Sequence, residues 1–218
     1  MLSSRQLAVP DWAENQIIFN DKAAVEVLME LKPDFCLSDE NIEAIIVRVD
    51  KIRSRGIAKG RAMLTLVLAS AYLFTRYPRA HRRPYNPRKF ANICFEKGLP
   101  VTAKELNRNA RLFRSEDLYP PDPTPLTLFR MYWPYVSVEM NLPEKIKTSV
   151  EKILKLKWRS TGSPEVMIAG AIYIADSVCR ECDRTTQYDL SKTFGITEVS
   201  IRNFLRRFEK QFSVEILL

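Results

Sequence analysis

The chain has 218 residues, of which 46% are hydrophobic and 28% are charged, and its formal net charge is +8. A chain of this length and hydrophobic content can bury one large core or two small ones, which excludes a disordered protein.

The amino terminus predicts no targeting segment. The first sixteen residues lack the basic start and the continuous apolar stretch of a signal peptide, and no run of the chain approaches the roughly 18 apolar residues of a membrane span. We therefore expect a cytoplasmic, nucleoid-associated protein without a membrane partner.

Apolar residues recur at helical spacing almost throughout and predict about ten helices and no strand. Ser38, Asp39 and Glu40 are typical of the start of a helix, which we expect to run to about Ser54, before Gly56. The apolar residues of this helix are Ile42, Ile45, Ile46, Val49 and Ile52. A similar set in the second half is Ile146, Val150, Ile153 and Leu154.

Two segments are apolar on all sides, which predicts helices that are buried all round. They are Ala62–Phe74 and Ser163–Ala175, and placing Tyr72 on Tyr173 relates them by a shift of 101 residues. The shift also superposes small residues, which would let facing helices approach closely. An internal duplication of about 100 residues follows from this match.

Basic residues are concentrated in one stretch. Residues 51–95 contain eleven Lys or Arg and no Asp or Glu, whereas the rest of the chain is slightly acidic. A one-signed stretch suits the phosphates of nucleic acid, although solvated faces, membrane surfaces and acidic proteins are alternatives. The eleven residues are Lys51, Arg53, Arg55, Lys59, Arg61, Arg76, Arg79, Arg82, Arg83, Arg88 and Lys89.

Six prolines between positions 120 and 143 predict a linker near the middle of the chain. We therefore expect a first repeat at residues 17–116, a proline-rich linker at 117–125 and a second repeat at 126–218.

The second half ends in a pattern typical of a helix-turn-helix. Residues 186–208 place Gly195 at the turn, and Thr197 precedes a helix at Glu198–Lys210. The small core expected between the two helices consists of Leu190, Phe194, Ile196, Ile201 and Phe204.

The residues of the chain offer little for catalysis or metal binding. His81 is the only histidine, and Cys179 and Cys182 form a single C-x-x-C without a second pair. No phosphate-binding glycine loop or nucleophile motif is present. We expect no enzyme activity, cofactor or metal, and we interpret the two cysteines as structural, with redox sensing as the alternative.

The segment Gly195–Asn203, together with Ser163, Pro164 and Ala171–Ala175, is similar to the second cyclin repeat of archaeal transcription factor B and its eukaryotic counterpart, TFIIB. The Pro121-Asp122-Pro123 sequence resembles the junction between repeats in that family. The resemblance spans roughly residues 17–215. It implies an all-α fold of two tandem cyclin-like five-helix repeats, each ending in a helix-turn-helix-like pair.

The resemblance also implies partners and site residues. Members of the family bind promoter DNA together with TATA-binding protein, and the second repeat reads a purine-rich element upstream of the TATA box. The base-reading positions correspond to Val199 and Arg202. The alternative for Val199 is an ordinary core residue, and the alternative for Arg202 is a solvated charge. We assign phosphate contacts to Ser200, Arg206, Arg79, Arg82 and Arg83.

The chain differs from the family in its amino-terminal part. Family members carry a zinc ribbon and a linker that enters the polymerase cleft, and we expect this chain to lack both. RNA polymerase or a ribbon-bearing factor is then a further expected partner. The rival hypothesis is a cyclin-like scaffold that binds a protein between its repeats and touches no DNA.

Overall fold

A computed structural model describes residues 21–77, 83–156, 162–179 and 185–212, and these residues form helices and connections without any strand. The ten helices of this part of the chain are α1 (Asp21–Phe35), α2 (Asp39–Ser54), α3 (Met63–Arg76), α4 (Pro87–Glu96), α5 (Ala103–Ser115), α6 (Pro125–Glu139), α7 (Glu144–Lys155), α8 (Pro164–Val178), α9 (Gln187–Phe194) and α10 (Glu198–Phe212). The all-helical fold expected from the sequence is confirmed, and it is consistent with tandem cyclin-like repeats.

Helix α2 begins where local capping predicts. The hydroxyl of Ser38 accepts a hydrogen bond from the amide of Asn41 at 3.1 Å, and the Asn41 side chain accepts one from the amide of Ser38. These two bonds satisfy amide groups that have no partner inside the helix. The predicted start of α2 is therefore confirmed.

The contacts divide the chain into two compact units, of which the first contains the described residues 21–77 and 87–121. Its central helix is α3, whose residues from Leu66 to Leu73 are all buried. Helices α1, α2 and α5 pack on α3, and α4 reaches it through Phe90, whose ring meets that of Tyr72 edge-on. The expectation of a helix buried all round is confirmed for this segment.

The second unit contains the described residues 83–86, 122–156, 162–179 and 185–212, so a short segment that precedes α4 in the chain belongs to it. Its central helix is α8, which contacts α6, α7, α9 and α10. Ile168, Ala169, Ala171 and Ile172 of α8 are fully buried. Met167, Tyr173 and Ile174 are only half-buried, so α8 is the central helix of its unit but is not buried on every side as expected.

The repeat is not exact at its central helices. Tyr72 of α3 is 2% exposed, whereas its counterpart Tyr173 in α8 is only half-buried. The small residue Gly170 of α8 faces the ring of Phe204 rather than another small residue. The small residue on α8 therefore leaves space for an aromatic side chain of α10.

Candidate nucleic-acid interface

Helices α9 and α10 form a tight pair. A capping box starts α9, in which the amide of Asp189 donates to the Thr186 hydroxyl and the Asp189 carboxylate accepts from Thr186. After α9 the chain turns in three residues, with Gly195 in the left-handed conformation at φ 59°. The hydroxyl of Thr197 then accepts from the amide of Ser200 at 3.2 Å and starts α10. The turn has the length typical of a helix-turn-helix.

The first unit joins its corresponding pair, α4 and α5, through a longer connection. Residues 97–102 separate the two helices, and Thr102 and Glu105 form a capping box at the start of α5. The hydrogen bonds from Thr102 to the Glu105 carboxylate hold the pKa of Glu105 below its usual value. The short turn is thus a property of the α9–α10 pair.

One side of α10 holds the helix to the protein. Ile201, Phe204 and Phe208 are buried, at a spacing that places them on one helical face. A methyl group on Gly170 would lie 2.2 Å from Cδ1 of Phe204, so α10 approaches α8 closely at this point. The apolar side predicted for this helix is confirmed.

The other side of α10 faces solvent and contains both predicted base-reading residues. Val199 is 57% exposed, which is not the burial of a core residue. Arg202 and Arg206 are exposed one turn apart, and neither forms an ion pair with any residue that the structure describes. Asn203 is exposed beside them. Such a surface can donate hydrogen bonds to base edges and to phosphates.

The predicted phosphate residues lie in different settings. Ser200 is half-buried at the start of α10, where its hydroxyl lies 2.8 Å from that of Thr197. The guanidinium of Arg83 pairs with Glu139 at 2.7 Å and donates a hydrogen bond to the carbonyl of Thr193. Arg79 and Arg82 lie outside the described residues. The structure therefore brings together Val199, Arg202, Ser200 and Arg206 on one helix and places Arg83 at the end of α9.

Helix α9 adds an exposed pair that sequence reasoning missed. Tyr188 is 53% exposed, and the ammonium group of Lys192 lies 4.3 Å from the centre of its ring. The spacing of four residues along a helix would have indicated this contact.

Part of the positive charge at residues 51–95 is offset by ion pairs. Three arginines of this stretch form ion pairs with acidic residues that lie outside it. A fourth arginine, Arg76, is 3% exposed. The three pairs are Arg53–Asp50 at 3.3 Å, Arg55–Glu116 at 2.8 Å and Arg83–Glu139 at 2.7 Å.

Within the described ranges, no group of three His, Cys, Asp or Glu residues could hold a metal ion, and no helix is long and apolar enough to cross a membrane. Cys179 is a free, half-buried thiol, and Cys182 lies outside the described residues.

No family model matches the chain. It is 28% identical to transcription initiation factor IIB of Methanocaldococcus jannaschii, in an alignment that covers 98% of this chain and 30% of the relative. The chain resembles archaeal transcription initiation factor IIB. A factor of the same name from Methanosarcina mazei is 28% identical over 80% of this chain and 49% of the relative. The Pyrococcus horikoshii factor is 26% identical over 97% of this chain and 67% of the relative.

The similarity to transcription initiation factor IIB extends over nearly the whole chain and therefore includes both units. The chain spans between 30% and 67% of the length of these three relatives.

Proposed function

We propose that this chain is a promoter-binding factor of the transcription initiation factor IIB type, which acts with TATA-binding protein and has no catalytic role. In this proposal α10 lies in the major groove upstream of the TATA box. The observation that supports it best is the division of α10 into a buried apolar side and an exposed side with Val199, Arg202 and Arg206.

The exposed side of α10 has the chemistry that direct reading of bases requires. The guanidinium of Arg202 can donate two hydrogen bonds to O6 and N7 of guanine, and Val199 can pack on the methyl group of thymine. Both lie in the first turns of α10, the part of a recognition helix that meets base edges. Arg206, one turn further along, is placed for the DNA backbone.

The similarity to factors named transcription initiation factor IIB supports the same function independently of α10. A cyclin-like scaffold would share the fold but has no evident need for exposed arginines beside an exposed Val199.

A gel-shift titration tests the proposal. The probe is a TATA-containing promoter with a purine-rich upstream element, and the samples contain the chain, TATA-binding protein, or both. We expect a ternary complex that forms more tightly than either binary complex. The double variant Arg202→Ala/Arg206→Ala should weaken it, whereas Lys145→Ala/Lys152→Ala, an equal charge change at two exposed positions of α7, should not. Failure of wild type to shift the promoter under any of these conditions would favour the scaffold.

A further inference from the structure

The carbonyl groups at the end of α9 are satisfied in two different ways. The last carbonyls of any helix have no partner inside it. At the end of α9 the amide of Ile196 donates to the Ser191 carbonyl at 3.0 Å, and the amide of Gly195 donates to the Lys192 carbonyl at 3.3 Å. These two bonds are the local ones that a left-handed Gly195 allows. The carbonyls of Thr193 and Phe194 require partners from elsewhere.

Those partners come from residues 83–86. Arg83 donates to the carbonyl of Thr193, and the side-chain amide of Asn86 donates to the carbonyl of Phe194. Both donors precede their acceptors by more than 100 residues in the chain. The end of α9 is thus capped by a segment that no local helix-turn-helix pattern includes.

Glu139 at the end of α6 completes the arrangement. One oxygen of its carboxylate pairs with Arg83 at 2.7 Å, and the other accepts a hydrogen bond from the hydroxyl of Thr193 at 2.9 Å. Asn86 is 5% exposed, and its amide nitrogen would lie 2.5 Å from a methyl group on Gly195. We call Arg83, Asn86 and Glu139 the turn clamp.

We propose that the turn clamp fixes the α9–α10 turn and thereby the angle at which α10 presents Arg202 to DNA. The proposal rests on the proposed function. A base-reading side chain must be held within about 0.5 Å of its productive geometry by supporting contacts. Helix α10 begins three residues after Gly195, so a change at the turn reorients the whole helix. The clamp residues are positioning residues that need not touch DNA.

Substitution of Arg83 changes DNA binding in one way if Arg83 belongs to the clamp and in another way if it contacts a phosphate. Loss of a phosphate contact lowers affinity for every sequence and reduces the log–log salt slope by about 0.9. Loss of the clamp lowers the preference for the correct base and leaves the salt slope unchanged. The Glu139→Gln variant distinguishes a clamp from a phosphate contact. Removal of the negative charge of Glu139 does not weaken the attraction between Arg83 and a phosphate, but it breaks the clamp.

The experiment uses Arg83→Ala, Asn86→Ala and Glu139→Gln in the full chain. Arg130→Ala and Glu151→Gln are matched controls, because they break an arginine–glutamate pair of 2.8 Å between α6 and α7 in the same unit. The first measurement is hydrogen exchange at residues 193–198 in the protein without DNA. The second is the ratio of affinities for the preferred upstream element and for an element changed at the guanine that Arg202 reads.

We expect each clamp variant to raise exchange at Gly195 and Ile196 about tenfold, the change that loss of one hydrogen bond produces. The affinity ratio should fall about tenfold, as expected when one bidentate base contact is lost. Both controls should match wild type. Should Arg83→Ala not fold, Glu139→Gln still tests the clamp, since glutamine has nearly the same shape.

Two outcomes would overturn the clamp. One is exchange at residues 193–198 equal to wild type in all three variants. The other is an Arg83→Ala variant that loses affinity for all sequences while Glu139→Gln keeps full discrimination. Because exchange is measured without DNA, a wild-type protein that binds no promoter would refute the proposed function and leave the clamp to be judged by the exchange data.

Discussion

Arg202 and Arg206 lie one turn apart on the exposed side of α10, so both side chains are exposed to solvent. Their distances from the start of the helix differ, and under the proposed function this difference predicts different roles. A residue in the first turns meets base edges, whereas one further along meets the backbone. Substitution of each by alanine should therefore change DNA binding in a different manner.

We expect Arg202→Ala to cost about 1–3 kcal/mol at the preferred element and to relax discrimination at one base pair. Arg206→Ala should lower affinity nearly equally on all sequences. Selection of sites from random sequence upstream of a fixed TATA box, with wild type and each variant, measures both effects. An unchanged consensus for Arg202→Ala would show that another residue reads the base.

The cysteines of the first unit differ in burial, which predicts a difference in reactivity. Cys94 is fully buried, and this burial together with the negative charge of Asp34 raises the pKa of its thiol to about 12. Cys36 is exposed. Since the thiolate is the reactive form, Cys94 should remain inert well above neutral pH.

We expect iodoacetamide at pH 8 to label Cys36 in the folded protein and Cys94 only after denaturation. Mass spectrometry of the labelled peptides measures this, and Cys36→Ser is the control for the first site. Labelling of Cys94 in the folded protein at a rate similar to that of Cys36 would contradict the burial of this thiol.

At the scale of the helices, the contact between α8 and α10 depends on the absence of a side chain at position 170. Gly170 leaves room for the ring of Phe204, because a side chain at this position would overlap that ring. The missing side chain on α8 therefore helps to determine where α10 lies.

We expect Gly170→Ala to destabilise the second unit by about 1–3 kcal/mol, because the added methyl group overlaps the Phe204 ring. Urea unfolding measures the change in free energy. The control is Ser177→Ala, an exposed position of the same helix, with an expected effect within about 0.5 kcal/mol. A stabilised Gly170→Ala variant, as helix propensity alone predicts, would contradict the close approach.

At the scale of the whole molecule, the field around the protein is weaker than the stretch at residues 51–95 suggests. Asp50, Glu116 and Glu139 each pair with one of its arginines. The remaining exposed cations, with those of α10, still suit the phosphates of DNA.

We expect the logarithm of the DNA affinity to fall linearly with the logarithm of salt concentration, by about 0.9 for each phosphate contact. Titrations between about 50 and 200 mM salt, the range over which several contacts have a large effect, measure the slope. Arg206→Ala should reduce the slope by about 0.9 if it meets one phosphate, and Lys152→Ala should not change it. A salt-independent affinity would argue against binding through the DNA backbone.

The sequence by itself determined the helices and the two sides of α10. The cap at Ser38 and the apolar spacing predicted α2 closely, and Glu198–Lys210 was predicted where α10 runs from Glu198 to Phe212. Caps and apolar periodicity act within a few residues, so a local pattern contains the information. The exposure of Arg202 follows from the same pattern, whereas its assignment to bases comes from resemblance and stays a prediction.

Only the tertiary structure decided what surrounds Arg83, which contacts Glu139 across 56 residues and Thr193 across 110. It also decided that Tyr72 is buried while Tyr173 is half-buried, and that Gly170 faces Phe204. These features depend on which distant residues the packed helices bring together. A pattern with a period of 3.6 residues specifies which side of a helix is buried, but not which side chain from another helix covers it.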